Sequence, residues 1–266
     1  MKFVPFNNET KYAFKKIFFK PVLVILLVFS CLNVFSQNES NPRMHSHNDY
    51  NQNIPFWKAL SAGLTSIEVD VYLQNEELYV THSKTEIIEN RTIETLYLRP
   101  LQNVIALGLG EFDQLQLLVD VKSEARTTLD KFIQVLEGYP DLQTSTKISI
   151  VISGNRPPVE EYINYPNYIQ FDHQKIDEIL EEKLWEKVAL ISLNFRNYST
   201  WNGTGSMTET DYQKAKTLID QAHFTGKPFR FWGIPDTKDS WTVFKSMGIN
   251  FLNTDDPIGL SAFLNQ

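Results

Sequence analysis

The sequence predicts a single-domain α/β protein with a TIM-type (β/α)8 barrel, of regular or irregular form. Two patterns support this prediction: strand-length apolar runs recur along the chain, and helical patterns separate many of them. This alternation implies a mainly parallel sheet. No internal repeat, low-complexity tract or long linker follows Asn41, and barrels of this type commonly form one domain of about 200–250 residues. A doubly wound open sheet fits the same alternation and is the structural alternative.

The predicted elements follow from the spacing of apolar residues. Apolar or β-branched runs indicate strands at 44–47, 66–73, 78–82, 115–121, 148–153, 168–171, 188–193, 229–234 and 249–253. Helical patterns lie between many of them, at 55–61, 125–137, 175–182, 209–223 and 241–247.

Residues 1–36 have the pattern of a secretory signal peptide, in which lysines precede the apolar run 22–29 and Ser36 marks the cleavage site. We therefore expect export to a periplasmic, extracellular or outer-surface location. An uncleaved anchor is an alternative, although the run is short of the roughly 20 residues that span a bilayer. Lipidation at Cys31 is another, although residues 32–35 stay apolar. Residues 37–42 form a polar lead-in, and 43–266 form the predicted barrel.

The charge balance narrows the classes of partner. Without residues 1–36 the chain has 20 basic and 31 acidic residues, which argues against general nucleic-acid binding. A phosphate-bearing substrate would need a cation close to its binding site. The only cysteine, Cys31, lies in the leader, so the remaining chain can form no disulfide and no cysteine-based metal site.

Two acids on one strand are the first candidates for chemistry. Glu68 and Asp70 are two residues apart, so a strand directs both to the same side. Two carboxylates inside a barrel would repel each other unless a cation joined them, and oxygen ligands suit Mg²⁺ or Ca²⁺. A solvated acidic strand face is the alternative interpretation.

Asp120 and Lys122 repeat this spacing at the end of the strand at 115–121. In a parallel barrel the C-terminal strand ends converge on one face, which would bring Asp120 toward Glu68 and Asp70. Asp120 is therefore a candidate third metal ligand, and Lys122 is a candidate contact for a phosphate oxygen. An ordinary ion pair is the alternative.

Three histidines are candidates for proton transfer, namely His45, His47 and His82. Cleavage of a phosphodiester needs a base and an acid, and the pKa of histidine suits both roles. All three fall at predicted strand ends. His173 and His223 are expected to be structural.

The order His45, Glu68-Val69-Asp70, His82, Asp120-Val121-Lys122 and Thr254-Asp255-Asp256-Pro257 resembles the glycerophosphodiester phosphodiesterase and PI-PLC-like superfamily. The block 45–57 and the strand that follows look like the branch similar to the altered inheritance of mitochondria protein 6 family.

This resemblance implies a TIM barrel with one divalent cation, Mg²⁺ or Ca²⁺, held by Glu68, Asp70 and Asp120. It also implies two catalytic histidines. His82 matches the second of them. The first matches His45, because His45 and Asn48 have the His-x-x-Asn spacing of the related sphingomyelinase D branch, and His47 is the other candidate. His47, Asn48 and Lys122 would then contact substrate.

Departures from the family pattern leave the substrate open. The usual His-Arg-Gly is His45-Ser46-His47 here, and the usual His-Asp is His82-Ser83. Asp120-Val121-Lys122 replaces Glu-x-Lys but keeps the carboxylate. A glycerophosphodiester or a phospholipid head group is the expected ligand, and association with a membrane surface is possible.

Several other residues are weaker candidates. Trp232 ends an apolar strand and is expected to line the site, although a core position is the alternative. Arg156 is a candidate for phosphate binding, with a solvated loop arginine as the alternative. A polar-aromatic stretch after the strand at 188–193 is a candidate substrate loop, with Asn194, Trp201 and Asn202.

The combined prediction is an exported, metal-dependent phosphoric diester hydrolase that uses histidine acid–base catalysis. The alternatives are a catalytically altered barrel that binds a phosphorylated or lipid ligand, and an enzyme that acts on another ester. The sequence does not determine the oligomeric state.

Overall fold

The computed structural model describes residues 1–2, 41–178 and 180–266, and Asn41–Gln266 forms one compact unit. The predicted signal peptide, its cleavage site and Cys31 lie outside the described residues, as does most of the predicted lead-in. Across the described ranges, no helix combines the length and apolarity needed to cross a bilayer.

Eight parallel strands close into a barrel, as predicted. The strands follow the order β1-β9-β8-β7-β6-β5-β4-β2, and pairing of β1 with β2 closes the ring. The strands are β1 Arg43–Ser46, β2 Ser66–Gln74, β3 Glu77–Val80, β4 Leu115–Val121, β5 Ile148–Gly154, β6 Ile169–His173, β7 Val188–Asn194, β8 Phe229–Trp232 and β9 Phe251–Thr254.

Helices follow most of the parallel strands. They are α1 Trp57–Ser61, α2 Arg99–Leu107, α3 Ala125–Leu136, α4 Pro140–Thr144, α5 Glu182–Trp185, α6 Glu209–Phe224, α7 Lys238–Ser246 and α8 Pro257–Leu264. Helix α2 continues from the π-helical turn Glu94–Leu98. The helix predicted at 175–182 is wrong: that stretch is irregular in its described part, and the short α5 begins only at Glu182. Helices α2, α4 and α8 were not predicted; α4 and α8 begin at prolines and are short.

Among the described residues, β3 is the one strand outside the barrel order. It confirms the strand predicted at 78–82, with the bounds Glu77–Val80. It pairs antiparallel with β2, from Val71 opposite Val80 to Gln74 opposite Glu77. Asn75 and Glu76 both have positive φ, which is the geometry of a two-residue hairpin turn. Strand β2 extends beyond the mouth of the barrel, and the antiparallel β3 leads the chain back toward it. His82, which follows β3, therefore lies at the level of the mouth. His82 therefore reaches the site from a hairpin and not from a barrel strand.

The barrel interior changes from apolar to polar along its axis. Leu118, Val151, Leu190 and Phe251 form a fully buried cluster contributed by four different strands. Larger apolar clusters fill the space between the strands and the helices. Polar interior side chains lie at other levels of the barrel; the buried ones include His45, Glu68, Asp70, Asp172 and Arg230. The apolar cluster excludes water from the axis, which strengthens the electrostatic interactions of those groups.

A buried carboxylate, Asp49, fixes the loop that follows β1. It accepts hydrogen bonds from Ser46 Oγ at 2.8 Å, from Tyr97 Oη at 2.9 Å and from the backbone N–H of Phe56. Asn48, just before it, has the left-handed conformation (φ 45°), which turns the chain away from the strand. These contacts hold His47 and Asn48 over the mouth of the barrel.

Replacing Tyr97 by Phe should destabilise this loop, because it removes one donor from a buried carboxylate. We expect the free energy of unfolding to fall by about 1–3 kcal/mol, measured by urea denaturation. Tyr79→Phe is the matched control, since its hydroxyl makes no hydrogen bond within the described residues. Equal stability of the two variants would contradict this role for Asp49.

Candidate active site

A cavity of about 610 Å³ lies at the C-terminal mouth of the barrel. Its lining includes most of the predicted site residues: His47, Asn48, Glu68, His82, Asp120, Lys122 and Trp232. Sequence reasoning did not select Arg230 and Gln174, which also line it.

The three predicted metal ligands converge at this mouth. Asp70 on β2 lies opposite Asp120 on β4 in the parallel register, and Glu68 lies two residues deeper on β2. One carboxylate oxygen from each lies within 4.8 Å of the others. Glu68 and Asp70 are buried, and Asp120 is largely so.

The hydrogen bonds around these acids leave room for a cation. Asp70 Oδ2 accepts from Tyr50 Oη at 2.9 Å, yet Asp70 Oδ1 is buried without a partner in the described structure. Asp120 Oδ1 is likewise buried and has no hydrogen-bond partner among the described residues. Buried carboxylate oxygens are seldom left unpaired, and hard oxygen ligands of this kind suit Mg²⁺ or Ca²⁺.

The charge balance supports the same conclusion. The described interior near the mouth contains four carboxylates, those of Glu68, Asp70, Asp120 and Asp172, but only two fixed cations, Lys122 and Arg230. Burial, and then the neighbouring Glu68 charge, raises the pKa of Asp120 to about 6. Burial also raises the pKa of Asp70, an effect that Lys122 partly offsets. A divalent cation would supply the missing positive charge.

Lys122 lies beside two of the acids. Its Nζ is 3.1 Å from Asp120 Oδ2 and 3.4 Å from Asp70 Oδ2. Burial lowers its pKa, but the two carboxylates outweigh that effect and raise it. Lys122 therefore stays protonated, and its side chain, about one-fifth exposed, can donate to an anion in the cavity.

Two cavity histidines have the same hydrogen-bond arrangement. His82 donates from Nδ1 to Asp70 Oδ2 at 2.7 Å, and His47 donates from Nδ1 to Asp255 Oδ1 at 2.9 Å. Each carboxylate can only accept, so each ring carries its proton on Nδ1 and a lone pair on Nε2. Asn48 Nδ2 lies 3.2 Å from His47 Nε2, which agrees with this tautomer. Burial lowers the pKa of His47, but the hydrogen bond to Asp255 and the charges of Glu68 and Asp255 together outweigh it and raise that pKa.

His45 occupies a different environment, one layer deeper. It is fully buried and does not line the cavity: Nδ1 is 2.7 Å from Ser66 Oγ, while Nε2 is 2.7 Å from Glu68 Oε2 and 2.6 Å from Arg230 Nη1. Burial, and next the Arg230 charge, lowers the pKa of His45 to about 4. The geometry therefore favours His47 over His45 as the first histidine that can reach a substrate.

Arg230, missed by the sequence analysis, connects the acids inside the barrel. Its Nη1 donates to Glu68 Oε2 at 2.7 Å, and its Nη2 lies 3.5 Å from Asp172 Oδ2. Asp172 also accepts from Ser153 and Ser192. Burial would raise the pKa of Glu68, but Arg230 and the hydrogen bond to His45 together outweigh it and hold that pKa well below its usual range. The sequence does contain a signal for this position: Phe229 and Phe231 flank Arg230 in β8, so strand alternation directs the arginine to the face opposite the two aromatic rings.

The remaining candidates separate into two groups. Trp232 is exposed at the edge of the cavity and is not a core residue. Asn194, Trp201 and Asn202 do not line the cavity; Asn194 instead caps the turn after β7 through Arg196 N. His223 binds Asn250 Oδ1 at 2.8 Å, away from the cavity, which agrees with a structural role. Arg156 and His173 line a neighbouring cavity.

Gly154, at the end of β5, makes space for Asp120. A Cβ added there would lie 1.9 Å from Asp120 Oδ1, and the residue has φ +68°. Only glycine satisfies both conditions without a shift of the acid.

The chain folds as a closed (β/α)8 barrel with acids and histidines at its C-terminal mouth, and the comparisons support a phosphodiesterase-type fold. Comparison with solved structures supports the fold. A glycerophosphodiester phosphodiesterase from Parabacteroides distasonis matches with a TM-score of 0.58 at 13% identity, over 85% of this chain and 97% of that one. The corresponding protein from Agrobacterium tumefaciens matches with a TM-score of 0.53 at 13% identity, over 85% of this chain and 100% of that one.

The sequence comparisons find similarity to the branch that the motifs resemble. The family model for the AIM6-like phosphodiesterase domain matches residues 33–108. The altered inheritance of mitochondria protein 6 homolog of Arthroderma benhamiae is 26% identical over 80% of this chain and 81% of its own. The altered inheritance of mitochondria protein 6 of Eremothecium gossypii is 27% identical over 83% of this chain and 69% of its own. The resemblance predicted from the motifs is therefore confirmed.

Gly154→Ala should displace Asp120 and weaken cation binding. We expect a lower melting temperature and a smaller rise on addition of Mg²⁺ or Ca²⁺, both measured by differential scanning calorimetry. Gly226→Ala is the control, because Gly226 has φ +74° with nothing within 4 Å of an added Cβ. The control should lose only the backbone cost of about 1–2 kcal/mol. If both variants show the same melting temperature and the same rise on addition of the cation, the added methyl group at position 154 does not displace Asp120.

Proposed function

We propose that this protein is a metal-dependent phosphoric diester hydrolase that acts on a glycerophosphodiester or a phospholipid-type head group. One observation supports the proposal most strongly. Asp70 Oδ1 and Asp120 Oδ1 are buried carboxylate oxygens without a hydrogen-bond partner among the described residues. Asp120 lines a cavity that also holds two histidines, each oriented by a carboxylate.

Glu68, Asp70 and Asp120 would hold the cation. A bound Mg²⁺ or Ca²⁺ would polarise a phosphoryl oxygen and offset its developing charge. Lys122 donates from Nζ to a second phosphoryl oxygen, for which its position beside Asp70 and Asp120 suits it. Trp232 and Asn48 border the space left for the alcohol arms of the diester.

The two cavity histidines transfer the protons. One accepts the proton of the attacking hydroxyl on Nε2, and the other, once protonated, donates to the departing alkoxide. His47 replaces His45 in this proposal, because both nitrogens of His45 lie against other side chains inside the barrel. Asp255 and Asp70 stabilise the positive charge of each ring when it is protonated. The nucleophile is a substrate hydroxyl, which would give a cyclic phosphate, or water.

Export from the cytoplasm is part of the proposal, and it rests on the leader pattern of residues 1–36 alone. Membrane-surface association, with or without a lipid at Cys31, belongs to the same proposal.

A catalytically altered barrel that binds a phosphorylated or lipid ligand is the second candidate. One contact favours it: Arg230 already occupies Glu68 Oε2, an oxygen that a cation would otherwise use. Metal binding without turnover of any diester would support this candidate.

Asp70→Asn should abolish turnover of glycerophosphodiesters assayed with Mg²⁺ or Ca²⁺, by at least about a hundredfold, because a charged ligand is lost while the side-chain shape is kept. In the native protein, a cation at a hundred times its Kd adds about 2.7 kcal/mol of stability, which raises Tm by roughly 5–10 °C. The variant should lose this rise, measured calorimetrically with and without chelator.

Asp113→Asn is the matched control. Asp113 is exposed and precedes β4, at the end of that strand opposite Asp120. It should keep both the turnover and the cation-induced rise in Tm. Full activity of Asp70→Asn would refute the metal assignment.

Asp255→Asn should move the His47 limb of the pH–rate profile to lower pH. The amide can still accept from Nδ1, but it lacks the charge that helps raise the pKa of His47. The direction is the same whether His47 acts as acid or base, since a lower pKa shifts either limb downward. We expect kcat to fall about tenfold or more. Asp256→Asn is the control: it keeps the cap of α8 and should leave the pH–rate profile unchanged. If Asp255→Asn gives the same profile as this control, Asp255 does not act on His47.

A further inference from the structure

A second cavity, of about 740 Å³, lies beside the catalytic one. Gly154, Asn155 and Gln174 line both cavities, so the two are adjacent. A ligand whose phosphorus lies among the acids can therefore extend one arm past these residues.

Arg156 is a cation in the lining of the second cavity, and it has no ion-pair partner among the described residues. Its Nε donates to Tyr162 Oη at 3.3 Å, while its Nη1 is buried and has no hydrogen-bond partner among the described residues. No carboxylate of the described chain lies within ion-pair distance of it. A buried guanidinium nitrogen without an acceptor is costly, so an acceptor is expected from a ligand.

None of the three carboxylates that line the cavity forms an ion pair with Arg156. Glu124 accepts hydrogen bonds from the backbone of Arg126 and Thr127 at the start of α3. Glu178 lies 3.2 Å from Lys175 Nζ. Glu160 is exposed to solvent, where its field is screened.

A second nitrogen in the lining also lacks an acceptor. His173 Nε2 is buried and 3.2 Å from Glu178 Oε2, but the two are not aligned as a hydrogen bond. Burial lowers the pKa of His173, so the ring is neutral and Nε2 can donate in one tautomer. Arg156 and His173 together present donors to the same cavity.

We propose that this second cavity is an anion subsite, which binds a carboxylate or phosphate group on one alcohol arm of the phosphodiester. The inference rests on the proposed function for the position of the scissile phosphorus. It predicts a preference for diesters with a negatively charged arm over diesters with a neutral one. Arg156 would determine this specificity without taking part in bond cleavage.

The test uses three diesters of glycerol phosphate, whose second alcohol is glycerol, glycerol phosphate or lactate. The native protein should give a kcat/KM for the two charged arms about tenfold or more above that for the neutral arm. Arg156→Met should remove this preference through KM, with kcat and the neutral substrate unchanged. Arg126→Met is the control, because Arg126 is exposed, pairs with Glu161 and lines neither cavity.

Loss of activity on all three diesters in Arg156→Met, with the melting temperature retained, would overturn the proposal. So would the absence of any preference in the native protein. If Arg156→Met does not fold, Arg156→Gln replaces it. A preference for only one charged arm identifies the anion as phosphate or carboxylate.

Calorimetric binding of the same diesters in chelator separates this proposal from the proposed function. If no diester is cleaved but the charged arms bind more tightly to the native protein than to Arg156→Met, the hydrolase proposal fails and the subsite stands. If all three bind equally to the native protein, the subsite is wrong whatever the outcome of the assays.

Discussion

The repulsion among carboxylates at the barrel mouth is the constraint on which the rest of the site depends. Parallel pairing of β2 with β4 places Asp70 opposite Asp120, and the same alternation points Glu68 inward beneath them. Lys122 and Arg230 offset part of this charge, and Tyr50 and His82 bind the Asp70 oxygen that faces them. The oxygens that remain unpaired account for the affinity for a cation that we propose.

The sequence was sufficient to predict the fold and the positions of the acids. The fold follows from the alternation of strands and helices, and the shared side of the acids follows from the two-residue period of a strand. Inward acids on β2 and β4 and apolar outward neighbours are visible without coordinates. The hairpin at residues 75–76 was not recognised, since Asn75-Glu76 lacks the glycine that usually marks such a turn. The stretch before α5 was predicted as a helix because its apolar residues recur with a helical period. Its backbone is irregular in the described part.

Depth along the barrel axis explains the uncertainty over the histidines. Alternation directs His45 and His47 to the same side, so the sequence cannot separate them. The structure separates them because β1 ends at Ser46 and the left-handed Asn48 turns the chain outward. His45 stays below the acids with Arg230, and His47 reaches the solvent-accessible level. Arg230 was not predicted for a related reason. Burying a charge within an aromatic strand is unfavourable unless other residues pair with it, and its partners lie far away in sequence, on β2 and β6.

The β2–β3 hairpin joins the proposed cation ligand Asp70 to the histidine that we propose for proton transfer, His82, in one short segment of chain. Asp70 and His82 are separated by only the hairpin, and their side chains meet because both strands keep their register. Loss or gain of a single residue at the turn would rotate His82 to the opposite face while leaving the barrel itself closed. A change in loop length alone would therefore remove the proton transfer that we propose for His82, while the acids and a stable fold remain.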